Sequence, residues 1–430
     1  MSGRPSARQV ALDLLLDVTE RRRPLDEAVA AAHALEALEA RDRAFAHHLV
    51  LTALRRLGEL DGVLARFMKR PLPTKRRVAR AILRLGAAQS LFLNTPAHAA
   101  VSTAADLAAK HEPPSFVALV NAVLRRVATE GRGALAALDA ERANTPSWLW
   151  HALIDAYDEP TTRLVARCQA SAPPLDLSCK ADPAFWAERL GGRLLPTGTI
   201  RLVDPPRVDT LSGYDDGAWW VQDAAAALPA RLLGPIDGRH VIEIGAAPGG
   251  KTAQLAAAGA RVTALDRSPA RLAVLRENLA RLRLEAEVVD ADARTYEPAT
   301  LADAVLLDAP CSATGTIRRH PEVPYQRDEA GIAKLVALQD ELIDAAMRMV
   351  RPGGVLVFAT CSLLPEEGEQ RIDAALARHR NFMREVIGSD LVGGVAELIN
   401  ACGELRTLPC HLADVGGMDG FFAARLRRQT

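Results

Sequence analysis

The sequence predicts a multidomain chain with an all-α bundle over residues 1–132, a small α+β module over 145–234 and an α/β domain over 235–430. Helical periodicity without a competing strand signal predicts the first part. Clustered tryptophans among short apolar runs predict the second, and a regular alternation of strand-like and helix-like runs predicts the third. A chain of 430 residues, 49% apolar, is long enough for several folded domains with ample core.

The bundle opens at Ser6, which with Gln9 makes a capping-box signal ahead of the apolar face Val10, Leu14 and Val18. Further faces run Phe45–Leu49–Leu57, Val78–Ile82–Leu85–Phe92 and Phe116–Val120–Val123–Val127. Pro71, Pro73, Pro96, Pro113 and Pro114 fall between them, where prolines are expected to separate helices. Glu130 to Asn144 is polar and Ala/Gly-rich and reads as a linker.

The middle module, from Pro146 to about Pro235, gathers Trp148, Trp150, Tyr157, Trp186, Trp219 and Trp220 around short stretches such as Ile200–Val203. Beyond Gly238 the strand-like runs are His240–Ile244, Val262–Leu265, Glu287–Val289, Ala304–Leu307 and Val355–Ala359. Between them lie helical runs Thr252–Ala258, Pro269–Leu282 and Ile332–Met349. Such alternation predicts a parallel, doubly wound sheet with helices on both faces.

Lysines and arginines number 53 and acids 53, so the net charge is zero and no global field attracts nucleic acid. A local basic run does exist: Arg55, Arg56, Arg66, Lys69, Arg70, Lys75, Arg76, Arg77, Arg80 and Arg84 stand against Glu59 and Asp61. It is either a nucleic-acid face or a solvated helix face. The six cysteines form no C-x-x-C pair and have no histidine at ligand spacing, so neither a metal site nor a disulfide framework is expected. The amino-terminal residues lack the pattern of a secretory leader, and no apolar run reaches the ~18 residues of a membrane span. A cytoplasmic monomer without membrane partners is expected.

The first α/β strand runs into Glu243-Ile244-Gly245-Ala246-Ala247-Pro248-Gly249-Gly250-Lys251. Glycines there allow a tight turn and close approach of a ligand at the carboxyl ends of the strands. The spacing is neither G-x-G-x-x-G nor a phosphate loop; Gly245-x-x-x-Gly249 fits the looser loop of Rossmann-like methyltransferases. Asp266 ends the second strand, where a carboxylate can accept both ribose hydroxyls, although it could instead cap the helix after Ser268. Asp292 follows the third strand, beside the expected adenine position.

The sharpest signal is a pair of cysteines. Leu307-Asp308-Ala309-Pro310-Cys311-Ser312 and Ala359-Thr360-Cys361-Ser362 each put a thiol just past a strand end, followed by serine. The two strands should be neighbours about 4.8 Å apart, so both thiols would face one pocket. Carbon 5 of cytosine is a poor nucleophile, and a thiolate adding at carbon 6 makes it electron-rich. Asp308 is placed to protonate the ring nitrogen. The residues alone leave open which cysteine attacks.

With these segments, Ile317-Arg318-Arg319-His320-Pro321 and Asp419-Gly420-Phe421-Phe422, the chain resembles the bacterial RsmB-type (Sun/Fmu) ribosomal RNA cytosine-C5 methyltransferases. Its first part is similar to the NusB family of RNA-binding helical domains, on Arg43, Leu57, Leu60-Asp61, Pro96-Ala97-His98 and Asn121 to Arg125. The resemblance implies S-adenosyl-L-methionine as cofactor and a cytosine of 16S ribosomal RNA as substrate. It implies Cys361 as nucleophile, Cys311 as the thiol that helps the adduct break down, and Asp308 at base and cofactor. Gly245 to Lys251, Asp266 and Asp292 would hold the cofactor, and Arg318, Arg319 and His320 would sit on a loop closing over the nucleotide. The middle module departs from the family, with Leu175-Asp176-Leu177-Ser178 where Arg-x-Asn is usual.

Rival readings are a methyltransferase acting on another RNA, on protein or on a small molecule, and an assembly or antitermination factor with a degenerate catalytic half. The second strand-end cysteine argues against a protein or small-molecule substrate. The complete set of chemical residues argues against a non-enzyme.

Overall fold

The computed structural model describes residues 6–430. Two compact units emerge: the chain up to Ser171 together with Ile317–Arg327, and Ala172–Thr316 together with Asp328–Thr430.

The first unit is helical. Ser6 Oγ accepts the Gln9 amide at 3.2 Å and starts the helix Ala7–Arg21, as the capping signal predicts. Helices Ala40–Arg55, Leu57–Phe67, Arg77–Leu91, Ala97–His111 and Pro114–Ala136 surround one core in which Leu15, Leu49, Leu60, Ile82 and Val120 are buried. The expected linker is not one. Helix Pro114–Ala136 runs into its first part, helix Ala140–Asn144 forms its end, and Asn144 Nδ2 donates to Glu59 Oε2 at 2.7 Å. Alanine-rich polar sequence is good helix-forming sequence, which explains the misreading. Helices Ser147–Tyr157 and Glu159–Gln169 also belong here, where the sequence put them in the middle module. Arg163 and Arg167 tie the second of them to Asp139 and Glu141.

Ile317–Arg327 packs within this unit: Leu25 N donates to Glu322 Oε1 at 3.2 Å and Gln326 Nε2 to Arg23 O at 2.8 Å. Much of the basic run is spent internally. Arg55 Nη2 donates to Arg318 O, Arg56 bonds Glu59, Arg76 bonds Glu112, Arg77 pairs with Glu20 and Arg84 bonds Asp61. Arg66, Lys69, Arg70 and Lys75 remain exposed. Among the described residues no helix is long and apolar enough to cross a membrane.

The second unit contains two sheets. The smaller is antiparallel, order β2-β3-β1-β4, from β1 (Leu175–Cys179), β2 (Arg193–Leu194), β3 (Ile200–Leu202) and β4 (Trp219–Val221). Leu177, Ile200 and Trp219 form its core. The departure at Asp176 has a structural use. Its carboxylate takes Arg201 in a two-pronged bond of 2.7 and 2.6 Å, and Arg201 Nη1 donates onward to Val415 O and Gly417 O.

The larger sheet is built from β5 (His240–Ile244), β6 (Arg261–Asp266), β7 (Glu287–Asp290), β8 (Ala302–Asp308), β9 (Val350–Thr360), β10 (Phe382–Glu385), β11 (Leu405–Thr407) and β12 (Phe421–Arg428). Its order is β10-β12-β9-β8-β5-β6-β7, with β11 also on β12. Strands β9, β8, β5, β6 and β7 are parallel, with Ile242 and Val305 facing one layer of helices and Val241 and Leu306 the other. The all-parallel expectation needs correction: β12 runs antiparallel to β9, β10 and β11. Its arginines disguise it in the sequence, yet Arg425 and Arg427 both bond Glu385 on β10 and so lie along a sheet rather than in solvent.

Candidate active site

The site lies at the carboxyl ends of the parallel strands, where the crossover connections leave open space. A cavity of about 290 Å³ is lined by Gly245, Asp266, Asp292, Asp308, Cys311 and Cys361, joined by Arg267, Arg271, Arg294, Leu338 and Leu342. Its size falls near the lower end for small-molecule sites.

Gly245 adopts φ 79°, and a Cβ there would run into Asp308 O. Glycine is therefore required where β5 turns beside β8. The rest of the predicted loop, Ala246 to Lys251, does not line the cavity. Ala246 and Ala247 are buried, and Gly249 precedes the helix Gly250–Ala257.

Asp266 is buried; Oδ1 accepts Ser268 N at 3.0 Å and Oδ2 accepts Ala247 N at 3.3 Å. The capping role belongs to Ser268, whose Oγ accepts Arg271 N. Asp266 is thus not the cap, and a carboxylate has lone pairs beyond those two amides. Asp292 is clasped by Arg294, Nη2 to Oδ2 at 2.6 Å and Nε to Oδ1 at 3.0 Å, which holds its carboxyl down at about 2.

Asp308, the last residue of β8, meets Lys251 Nζ at 2.6 Å. Burial pulls the Lys251 ammonium down, but Asp308 beside it, with Glu243 and Cys361, outweighs that and the net shift is upward. Sequence reading gave Lys251 only a place in the cofactor loop. Its helical position just past Gly249, opposite the end of the adjacent strand, is the signal that could have linked it to Asp308. Behind it, Glu243 is fully buried, accepts Thr252 Oγ1 at 2.6 Å, and is pushed by burial up to about 8.

The thiols meet. Strands β8 and β9 are parallel neighbours with Asp308 opposite Ala359, and Ala309 N donates to Ala359 O at 2.9 Å. Cys311 Sγ and Cys361 Sγ are then 3.3 Å apart, both partly exposed and both on the cavity wall. The Cys311 thiol is raised well above its usual value, first by its hydrogen bond to Cys361, then by burial, then by the charges of Cys361 and Glu367. A chain crossing close by keeps the second loop in place: Gly315 N donates to Cys361 O at 2.9 Å, and Gly420 N to Gly315 O at 2.8 Å.

Arg318 does not fit the expected nucleotide-covering loop. It is 2% exposed and its carbonyl accepts Arg55 within the helical unit. A guanidinium held in packing is not presented to a substrate. His320 is more open, with Nδ1 3.8 Å from Glu322 Oε1.

Two adjacent thiols and the carboxylates of Asp266, Asp292 and Asp308 line one cavity, with Lys251 ion-paired to Asp308 beside it. Residues 230–427 match the family described as 16S rRNA methyltransferase RsmB/F, and residues 5–129 match the NusB family. Ribosomal RNA small subunit methyltransferase B of Sodalis glossinidius is 35% identical over 412 residues, 91% of each chain. The protein of that name from Erwinia tasmaniensis is 33% identical over the whole of both chains. Among solved structures, PH0851 superposes over all of both chains with a TM-score of 0.77 at 24% identity, a likeness of fold. A methyltransferase homologue from Pyrococcus horikoshii, 25% identical, matches 66% of this chain and 96% of its own with a TM-score of 0.56. The chain belongs to the RsmB/F family of 16S rRNA methyltransferases.

Proposed function

We propose that this chain methylates carbon 5 of a specific cytosine in 16S ribosomal RNA, using S-adenosyl-L-methionine and a covalent bond from Cys361 to carbon 6 of the ring. The observation that carries the reading is the 3.3 Å approach of Cys311 and Cys361 on the wall of the cavity that Asp266 and Asp292 also line.

The cavity suits the cofactor. Asp266 would accept from the ribose hydroxyls, Asp292 with Arg294 would lie toward the adenine, and Leu338 and Leu342 would offer an apolar wall. When bound, the cofactor supplies an electrophilic methyl group.

Cys361 Sγ forms the bond to carbon 6, and the ring's double-bond electrons move toward carbon 5 and the ring nitrogen. Lys251 and Asp308, ion-paired at 2.6 Å, hold a proton for that nitrogen. Carbon 5 takes the methyl group and loses its hydrogen as a proton, the carbon–sulfur bond breaks with its electron pair returning to Cys361 Sγ, and the ring nitrogen gives its proton back to the Lys251–Asp308 pair. Cys311 fits the proton-accepting role at that stage. Its thiol is held up chiefly by Cys361, and once Cys361 is tied to carbon that influence disappears, so Cys311 deprotonates more readily.

The target base must leave its stack to reach a recessed thiol. The helical unit and the small four-stranded sheet are the parts proposed to grip RNA, while the domain built on the larger sheet does the chemistry. The test is bisulfite mapping of 16S RNA from cells with and without this protein. A cytosine that loses protection in the deficient cells supports the reading; an unchanged map overturns it.

A further inference from the structure

Each cysteine is followed by a serine, a repetition that nucleophilic catalysis leaves unexplained. Both serines are fully buried, and so is Glu367. Glu367 Oε1 accepts Ser312 N at 2.8 Å and Gln339 Nε2 at 3.1 Å, while Oε2 accepts Ser362 Oγ at 2.6 Å and also Ser312 Oγ. One carboxylate thereby receives donors from the residue next to Cys311 and from the residue next to Cys361. Gly315 N also reaches Cys361 O, and Leu363 N reaches Thr314 Oγ1 at 2.9 Å, but these links join the loops further along from Cys311.

Glu367 is itself fixed. It ends the short 3-10 turn Pro365–Glu367, and its carbonyl accepts Thr360 Oγ1 at 3.0 Å. Gln339 approaches from the helix Glu329–Met349 and also donates to Pro310 O at 2.9 Å, bracing the Cys311 loop from the other side. Arg406 Nη1 donates to Ser362 O at 2.6 Å and is held in turn by Glu369. A carboxylate sealed from water is retained only when its lone pairs are satisfied, and here its donors come from the two thiol loops and the helix that braces them.

We infer that Glu367 is a positioning residue that sets the spacing of Cys311 and Cys361 by tying Ser312 and Ser362 to one carboxylate. The inference deepens the two-thiol reading and rests on it. It predicts that sulfur–sulfur proximity, and the rate of the steps that use both sulfurs, depend on a residue that touches neither RNA nor cofactor.

Sulfur proximity is measured without RNA by the rate at which diamide closes a Cys311–Cys361 disulfide, each thiol giving one electron and one proton to the azo bond. The cross-linked peptide is quantified by mass spectrometry. Glu367→Ala should close several-fold more slowly than the unsubstituted chain, with kcat down about 100-fold, as expected for misplacement on the scale of an ångström. The KM for S-adenosylmethionine should stay unchanged. Glu367→Gln, which keeps the shape and an acceptor oxygen, should restore much of both rates. Should Glu367→Ala not fold, Ser312→Ala and Ser362→Ala each cut one tether and should slow closure in the same way. Unchanged closure and kcat in these variants would overturn the inference, and so would parallel loss of cofactor binding and kcat without rescue by glutamine. Failure of the unsubstituted chain to trap 5-fluorocytosine RNA, with Glu367-dependent closure intact, would remove the catalytic reading and leave the positioning role standing.

Discussion

Cys311 Sγ lies 3.3 Å from Cys361 Sγ, although the two residues are 50 positions apart in the chain. Parallel pairing of β8 with β9 brings the strand ends together, and the two loops beyond them turn into the same cavity. Under the proposed mechanism Cys361 attacks, and Cys311, whose thiol is raised by its hydrogen bond to Cys361 and by burial, is left for the release step.

That division predicts the behaviour of Cys311→Ala. The variant should attack normally and release slowly, so a covalent protein–RNA species should build up on ordinary RNA. Denaturing gel electrophoresis of the reaction checks this; wild-type turnover with no accumulated species would mean that Cys311 has no part in release.

The Lys251–Asp308 pair should matter at neutral pH and survive well into the alkaline range. The folded Lys251 value is raised above the ordinary lysine value, so its stabilising contribution is complete below about pH 10.4 and is lost only as pH rises through the folded value. Asp308→Asn should cut kcat by about 100-fold, the scale of a lost acid–base group. Denaturation midpoints of this variant and the parent should converge only above that pH. Convergence already near neutrality would contradict the pairing.

Glu243 has the opposite pH signature to a salt-bridged carboxylate. Its folded value of about 8 exceeds the ordinary 4.5, so the unfolded chain releases that proton first and stability falls as pH rises from 4.5 to 8. Glu243→Gln keeps the acceptor for Thr252 and removes the titration. Denaturant melts across that window should show the variant gaining a few kcal/mol on the parent by pH 8. A constant difference would show that Glu243 does not titrate there.

How far the site was legible depended on where the information lay. Asp266, Asp292, Asp308, Cys311 and Cys361 each sit at or just after a strand end and could be read one by one, and all five line the cavity. The pairing of Lys251, read only as part of the cofactor loop, with Asp308, and the bonds of Glu367 to the two serines, were not legible because they exist only through partners far along the chain. Helices and parallel strands followed their periodicities. Strand β12 was hidden by arginines whose partner, Glu385, lies on another strand, and the segment from Glu130 to Asn144 by a polar composition that suits helix as well as linker. Arg318 looked like a substrate contact because burial of a charge cannot be read from a basic tripeptide.

The basic run, likewise, is narrower in the structure than in the sequence. Arg55, Arg76 and Arg84 hold internal partners, which leaves Arg66, Lys69, Arg70 and Lys75 as its exposed, unassigned group. Replacing these four with serine should weaken RNA binding and lower the salt slope by about 0.7–0.9 for each phosphate no longer neutralised. Titrations at several salt concentrations read both quantities; identical affinity and slope would assign the run to solvated surface.

The central claim, attack by Cys361 on carbon 6, is tested most directly by trapping with 5-fluorocytosine RNA and S-adenosylmethionine, since fluorine at carbon 5 prevents the final elimination. The unsubstituted chain should yield a stable protein–RNA adduct, mapped by mass spectrometry to Cys361, and Cys361→Ala should yield none. An adduct that persists in Cys361→Ala, or that maps to Cys311, would contradict the assignment.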